Sequence, residues 1–317
     1  MLKTKICDLL NIKYPIIQGG MAWVADAQLA SSVSEAGALG IIAAGNAPAE
    51  VVESEIVRAK SMTDKPFGVN VMLLSPFVDK VVDVVVKHKI PVITTGAGNP
   101  GKYMDKFKSV DAKVIPVVPS VALAKRMEHI GADVVIAEGM ESGGHVGELT
   151  TMSMVPQIVD AVTIPVVAAG GIADGRGFVA ALSLGAQGVQ MGTRFVASTE
   201  CTAAEIYKEY IKRAKDRDTI VTGRTTGHPV RVLKNKFTRE LIKMEEMGAT
   251  KEEIEKFGEG RLRLAVKEGD MLMGSVMAGQ IAGLIHDIKP VKDIMSDIMN
   301  EAESTLRNMC MQIGEFK

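Results

Sequence analysis

The stretch Pro165–Phe195, PVVAAGGIADGRGFVAALSLGAQGVQMGTRF, holds two short apolar runs that each end in glycine. Gly170, Gly171 and Gly175 follow the first run, with Asp174 among them, and Gly192-Thr193-Arg194 follows the second. Glycine turns let backbone N–H groups close on an anion, because no Cβ stands in the way. Asp174 is placed to cap the helix that starts there, and a helix N-terminus is positively polarised. Thr193 adds a hydroxyl. One glycine turn would mean only a tight strand-to-helix connection. Two turns at adjacent strands point to a bound phosphate.

Other groups fall at comparable places. Gln18-Gly19-Gly20-Met21 ends an apolar run, and its glycines would let a flat ring approach the backbone; alone it is also an ordinary turn. Asn70 ends another run, where its amide could hydrogen-bond a heterocycle or simply turn the chain. His145 sits in Glu138-Gly-Met-Glu-Ser-Gly-Gly-His145-Val-Gly147, flanked by glycines just past an apolar run. A histidine on an exposed loop can donate a proton near neutral pH. Its plain alternative is a surface-loop histidine. His228, in Thr-Gly-His228-Pro, is a rival, whereas His88, His129 and His286 lie on helix-patterned segments. Glu138 and Glu141 could bind a cation or orient a substrate, or be solvated loop carboxylates. No HxH, HExxH, Cys/His cluster or GxSxG occurs, so no metal-dependent chemistry and no serine nucleophile elbow is expected.

These residues need a frame. Apolar runs of strand length occur at 14–18, 39–43, 67–71, 91–95, 113–117, 133–137, 165–169 and 188–191. Helix-patterned segments lie between them, near 26–36, 49–61, 78–87, 101–108, 121–129, 154–161 and 177–184. Runs apolar on both faces are those of buried parallel strands. Eight such β/α units predict an α/β fold, a (β/α)8 TIM barrel whose active site lies at the C-terminal ends of the strands. The alternation stops after Phe195. Residues 200–270 are rich in Lys, Glu and Arg and read mainly as helices and loops. They are expected to form a small lid on a barrel made of 1–199 and 271–317. Ser275–Leu284 would be the closing helix and Val291–Met311 a C-terminal amphipathic helix.

The bulk properties narrow the partners. The chain has 317 residues, 47% hydrophobic, with a formal net charge of −1. That balance gives no reason to expect nucleic acid or an anionic membrane as partner. Cys7, Cys201 and Cys310 are too far apart for a zinc ribbon or disulfide framework, which fits a reducing compartment. The N-terminus lacks a secretory pattern and no apolar run is long enough to span a membrane, so a soluble, cytoplasmic protein is expected.

Taken together, the segments QGGMAWVAD (18–26), KPFGVNVMLLSP (65–76), ITTGAGNP (93–100), VIPVVPSVALAKRMEHIGAD (114–133), IAEGMESGGHVGELTTM (136–152), IPVVAAGGIADG (164–175) and GSVMAGQIAG (274–283) closely resemble the flavin-dependent enoyl-acyl-carrier-protein reductase II group. The wider family is that of the nitronate monooxygenases (2-nitropropane dioxygenases). The resemblance covers almost the whole chain and is weakest over 199–270. It implies noncovalent FMN at the barrel mouth, with the ring over Gly19, Gly20 and Met21 and near Asn70. It implies a phosphate against Gly170, Gly171, Gln190, Met191, Gly192 and Thr193. Its active-site histidine falls on His145, after Gly143 and Gly144, and Ser275, Met277, Gly279 and Gln280 lie near cofactor or substrate. Glu138 stands where the monooxygenases usually carry glutamine, which favours a reductase. The resemblance also implies NADH or NADPH as co-substrate, an acyl-carrier-protein thioester as substrate and a homodimer, and leaves room for a monovalent cation.

The expected reaction is hydride transfer from NAD(P)H, by way of FMN, to the β-carbon of a trans-2-enoyl thioester. His145 would supply the α-proton or polarise the carbonyl. Nitronate oxidation with O2 is the first alternative. A flavin-free enzyme on a phosphorylated metabolite and a non-catalytic flavin binder are the others; no Schiff-base lysine supports the former.

Overall fold

The computed structural model describes residues 2–313. Eight parallel strands follow one another around a barrel: β1 (Ile16–Gln18), β2 (Gly40–Ala43), β3 (Phe67–Met72), β4 (Val92–Gly96), β5 (Lys113–Val118), β6 (Val135–Glu138), then β8 (Val166–Ala169) and β9 (Gly188–Met191). The label β7 belongs to a two-residue strand, Gly144–His145, inserted after β6. β9 returns to β1 in parallel register, Gln190 opposite Ile17. The seam between β1 and β2 is narrower: a bridge joins Ile17 to Leu39, and the Gln18 side chain clamps Ile41. Gln18 Nε2 donates to the Ile41 carbonyl at 3.2 Å and Gln18 Oε1 accepts its N–H at 3.1 Å. The fold is a (β/α)8 TIM barrel.

Apolar residues on both strand faces explain the assembly. Ile17, Ile41, Val92, Ile115, Ile136 and Val167 form a buried cluster with Ile6, Leu10 and Ile12. Ile6 and Leu10 lie on the helix Lys5–Leu10, which plugs the barrel away from the mouth. Sequence pattern had left that helix unassigned, since six residues are too few to show a period. The outward faces pack on the surrounding helices.

Two expectations need correction. Ser275–Leu284 is not the closing helix. It runs irregularly, bridges Val232 at Met277 and ends in a 3-10 turn, Gln280–Leu284. Gly274, Gly279 and Gly283 weaken any helix there by about 1 kcal/mol each. Val291–Ile313 closes the barrel instead, packed on Gly175–Ser183. A Cβ on Gly175 would lie 2.4 Å from Ala302 N, so that glycine serves a close helix contact and not a ligand.

The region after Phe195 is also more than helices and loops. Its helices include Glu205–Lys212, Lys236–Glu246, Lys251–Gly258 and Arg261–Glu268. It also carries β10 (Thr219–Thr222) and β11 (Val230–Leu233), which pair antiparallel and take β7 as a third strand. The β-branched residues Thr219, Ile220, Val221, Thr222, Val230 and Val232 were the available signal. Phe237, Leu241 and Ile254 make a separate small core, with Phe237 stacked on Phe257 at 5.2 Å. Among the described residues, no helix is long and apolar enough to cross a membrane.

Candidate active site

The mouth is assembled from strand ends. Beyond β8, Gly170 and Gly171 have φ of 89° and 73°, a left-handed conformation that any side chain would strain. Among the described residues, the N–H groups of Gly170, Gly171 and Gly192 donate to no protein acceptor. Gly192 leads directly into the short helix Thr193–Val196. Here the structure supplies the free donors that an anion needs. The helix after β8 does not. Asp174 Oδ1 accepts the Gly177 N–H at 3.0 Å and Glu301 Oε2 accepts the Gly175 N–H at 2.8 Å. Asp174 caps the helix as expected, and with Glu301 it occupies the N-terminus, so the Gly175 N–H is not free for a phosphate.

The other sides close around this cradle. Gly20 runs against Asn70: a Cβ on Gly20 would lie 2.4 Å from Asn70 Cβ. Asn70 Nδ2 donates to Thr94 Oγ at 2.9 Å, which fixes the amide, and its carbonyl oxygen has no partner among the described residues. Met21 Sδ approaches the Gly192 backbone, and Gln190 lies beside Gly19. The segment containing Met277 and Gly279 is tied in at three points. Thr193 Oγ accepts the Gly279 N–H at 2.9 Å, the Glu141 carbonyl accepts the Gln280 N–H at 2.9 Å, and Tyr207 donates to the Met277 carbonyl at 2.8 Å. Ser275 is buried, with its N–H on the Arg261 carbonyl at 2.9 Å. Thr94, Thr193 Oγ and Tyr207 hold this geometry through partners far away in sequence, which no local pattern reports for Thr94 or Tyr207.

The acidic groups divide sharply. Glu141 accepts both the N–H and the hydroxyl of Thr151 at 3.0 Å, so it caps the helix Thr151–Val159. Glu138 ends β6 opposite Ala169. Its carboxylate receives one hydrogen bond, from Ser142 Oγ at 3.0 Å, and no Lys or Arg pairs with it among the described residues. Burial pushes its pKa up to about 7, only partly opposed by the Ser142 hydroxyl. Near neutral pH this carboxyl exists both as acceptor and as donor.

His145 is exposed, on β7 opposite Val230 of β11. That ladder brings the His228 turn alongside, and the Pro229 carbonyl accepts the Val146 N–H at 3.1 Å. The two histidines that compete in the sequence are therefore neighbours. Protein around the imidazole, and secondarily the charge of His228, holds the His145 pKa below its ordinary value. Arg231 backs the same sheet: it donates to the Met140 carbonyl at 3.0 Å and to Thr219 Oγ at 3.1 Å. The arrangement combines free backbone donors, a fixed amide, an uncompensated carboxyl and an exposed imidazole around one opening.

Known proteins share this fold. The family model described as nitronate monooxygenase matches residues 3–81 and 75–301. The structure of FabK from Thermotoga maritima is 51% identical with a TM-score of 0.95, covering 98% of this chain and 99% of that one. A probable nitronate monooxygenase of Staphylococcus saprophyticus is 38% identical over 287 residues, 76% of this chain and 81% of its own length. The (3aS,4S,5R,7aS)-5-hydroxy-7a-methyl-1-oxo-octahydro-1H-indene-4-carboxyl-CoA dehydrogenase of Rhodococcus jostii is 33% identical over 339 residues, 95% of this chain and 96% of its own.

Proposed function

We propose, from the premise that this chain belongs to the nitronate monooxygenase family, that it is an FMN-dependent enoyl-acyl-carrier-protein reductase using NADH or NADPH. The observation that carries this reading is the likeness to FabK, an enoyl-acyl-carrier-protein reductase II, over nearly the full length at 51% identity. The mouth suits the cofactor on physical grounds. Free N–H groups at Gly170, Gly171 and Gly192 match a phosphate, and the side-chain-free edge at Gly19–Gly20 beside the fixed Asn70 amide matches a flat polar ring. FMN, when bound there, supplies the hydride chemistry between nicotinamide and substrate.

The chain's own residues do the rest. Gly170, Gly171, Gly192 and Thr193 anchor the phosphate, while Gly19, Gly20, Met21 and Asn70 set the ring's height and orientation. Met277, Gly279 and Gln280 close the opposite wall, held by Thr193 and Tyr207. Adding hydride at the β-carbon of an enoyl thioester leaves negative charge toward the carbonyl, and a proton must reach the α-carbon. His145 stands exposed at the opening to give that proton or to polarise the carbonyl through its N–H. A positioned proton donor is worth about 10²–10⁴ in rate. Glu138, at the end of β6, can hold a proton near neutral pH. The segment 200–270 acts as a lid through β10 and β11, which seat β7 and thereby His145.

A second reading is favoured by the curated relatives that carry the name nitronate monooxygenase. The same imidazole and flavin would oxidise an alkyl nitronate with O2, without nicotinamide. One preparation decides between them. Yellow protein that oxidises NAD(P)H only when crotonyl thioester is added is the expected outcome. Oxygen uptake with an alkyl nitronate, and no thioester-dependent oxidation, would replace the reductase reading with the monooxygenase one.

A further inference from the structure

Trp23 is the chain's single tryptophan. It follows the Gly19–Met21 turn by one residue, on the loop between β1 and the helix Ala27–Glu35. The indole is not spent on the core: 47% of the residue stays open. Its φ is 66°, a left-handed conformation unfavourable for a bulky side chain. The loop enforces it, because the Met21 carbonyl accepts both the Val24 N–H at 3.1 Å and the Ala25 N–H at 2.8 Å. An exposed, strained aromatic at the lip of a site calls for a reason other than packing.

The group that meets the indole comes from far along the chain. The Arg263 guanidinium lies 5.9 Å from the ring centroid, on the helix Arg261–Glu268. That helix is docked on the loop by a second tie: Thr202 Oγ donates to Asp26 at 2.7 Å, and Lys267 reaches Thr202 Oγ at 3.5 Å. Arg263 also meets Glu268 at 2.8 Å, but both side chains are about half exposed, and such surface pairs are worth little and exchange readily. With the guanidinium over part of the ring, the indole surface left open offers a face for a purine and Arg263 a fork for phosphate oxygens.

We propose that Trp23 and Arg263 form a rim platform for the adenosine-diphosphate portion of a ligand, adenine stacked on the indole and diphosphate on the guanidinium. The reactive end of that ligand would then extend from the rim toward the Gly19–Met21 turn. The proposal rests on the reading of the mouth as a hydride-transfer site. Adenosine diphosphate is shared by nicotinamide dinucleotides and coenzyme-A thioesters, whereas a carrier-protein thioester lacks it.

Because Trp23 is alone, its emission reports the platform directly. ADP-ribose added to the flavin-loaded protein should change that emission saturably, and Arg263→Gln should weaken the effect about tenfold. Trp23→Leu and Arg263→Gln should raise the KM for NADH about tenfold, far more than they change kcat. A rise confined to crotonyl-CoA, with crotonyl-pantetheine unaffected, would assign the platform to coenzyme A instead and keep it. Unchanged emission at millimolar ADP-ribose, with unchanged KM for both NADH and crotonyl-CoA in the variants, overturns the platform. Flavin bleaching by NADH in the same samples reads the proposed function separately. Bleaching without an ADP-ribose response removes only the platform, and an ADP-ribose response without bleaching removes only the reductase reading.

Discussion

The two sides of the mouth are built on different principles. On the β8–β9 side, every residue of both strands is buried and the free donors are backbone groups at the ends of a continuous parallel sheet. On the β7 side, the candidate group is an exposed side chain, His145, on a two-residue strand. That strand is held in a three-stranded antiparallel patch whose Leu233 packs into the main core. Backbone donors set in the barrel hold an anion at fixed geometry with little left to reorganise. An imidazole on a thin, accessible sheet can meet substrate and solvent in turn. On the proposed reading, anchoring and proton handling fall on different frames, and substitutions on each side should fail differently.

The largest effect is expected on the buried side. In Gly170→Val, a β-branched residue must take φ of 89°, with its Cβ 2.8 Å from the Gly139 carbonyl oxygen. Backbone strain and overpacking each cost about 1–3 kcal/mol. Purified Gly170→Val should carry almost no flavin and melt earlier; a normal flavin content would mean that the cradle lies elsewhere. On the exposed side, His145→Ala should keep flavin content and Tm near the parent values while turnover falls by more than about tenfold. Equal turnover would remove His145 from the mechanism.

Glu138 lies between the two sides and gives a pH signature. Its folded pKa of about 7 exceeds the ordinary 4.5, so the folded state retains a proton that the unfolded chain releases between those values. Stability therefore falls as pH rises through that window. Glu138→Gln should be as stable as the parent at the acid end and more stable above pH 7, read as the difference in Tm. A constant difference at every pH would show that the carboxyl is not held protonated. The smallest effect is expected from His228→Ala. It removes the lesser of the two causes that depress His145, leaving the desolvation by surrounding protein in place. If protonated His145 is the donor, kcat/KM declines as pH rises through its pKa. That decline should move modestly to higher pH in the variant, and no movement would uncouple the two histidines.

Much of this was legible from short-range pattern. Parallel strands buried on both faces appear as unbroken apolar runs, so the positions of all eight barrel strands lie within a few residues of the expected runs. Glycine turns and the Gly-Gly-His145 loop are visible for the same reason: their constraint is local. What each glycine faces is not local. Gly170 and Gly175 stand five positions apart with similar neighbours, yet one packs against Gly139 and Thr151 and the other against Ala302 of the C-terminal helix. Likewise Glu138 and Glu141 look alike in sequence, and only the packing makes one an uncompensated carboxyl and the other a helix cap.

The sequence by itself therefore determined the repeat of strand and helix, the ends of the strands where a ligand must lie, and the types of group available there. Tertiary structure alone decided which groups meet. The β7–β11 ladder pairs His145 with Val230, and Arg263 reaches Trp23 across 240 positions. Period and turn chemistry are written into neighbouring residues, whereas a contact between distant residues depends on how the whole barrel closes around it.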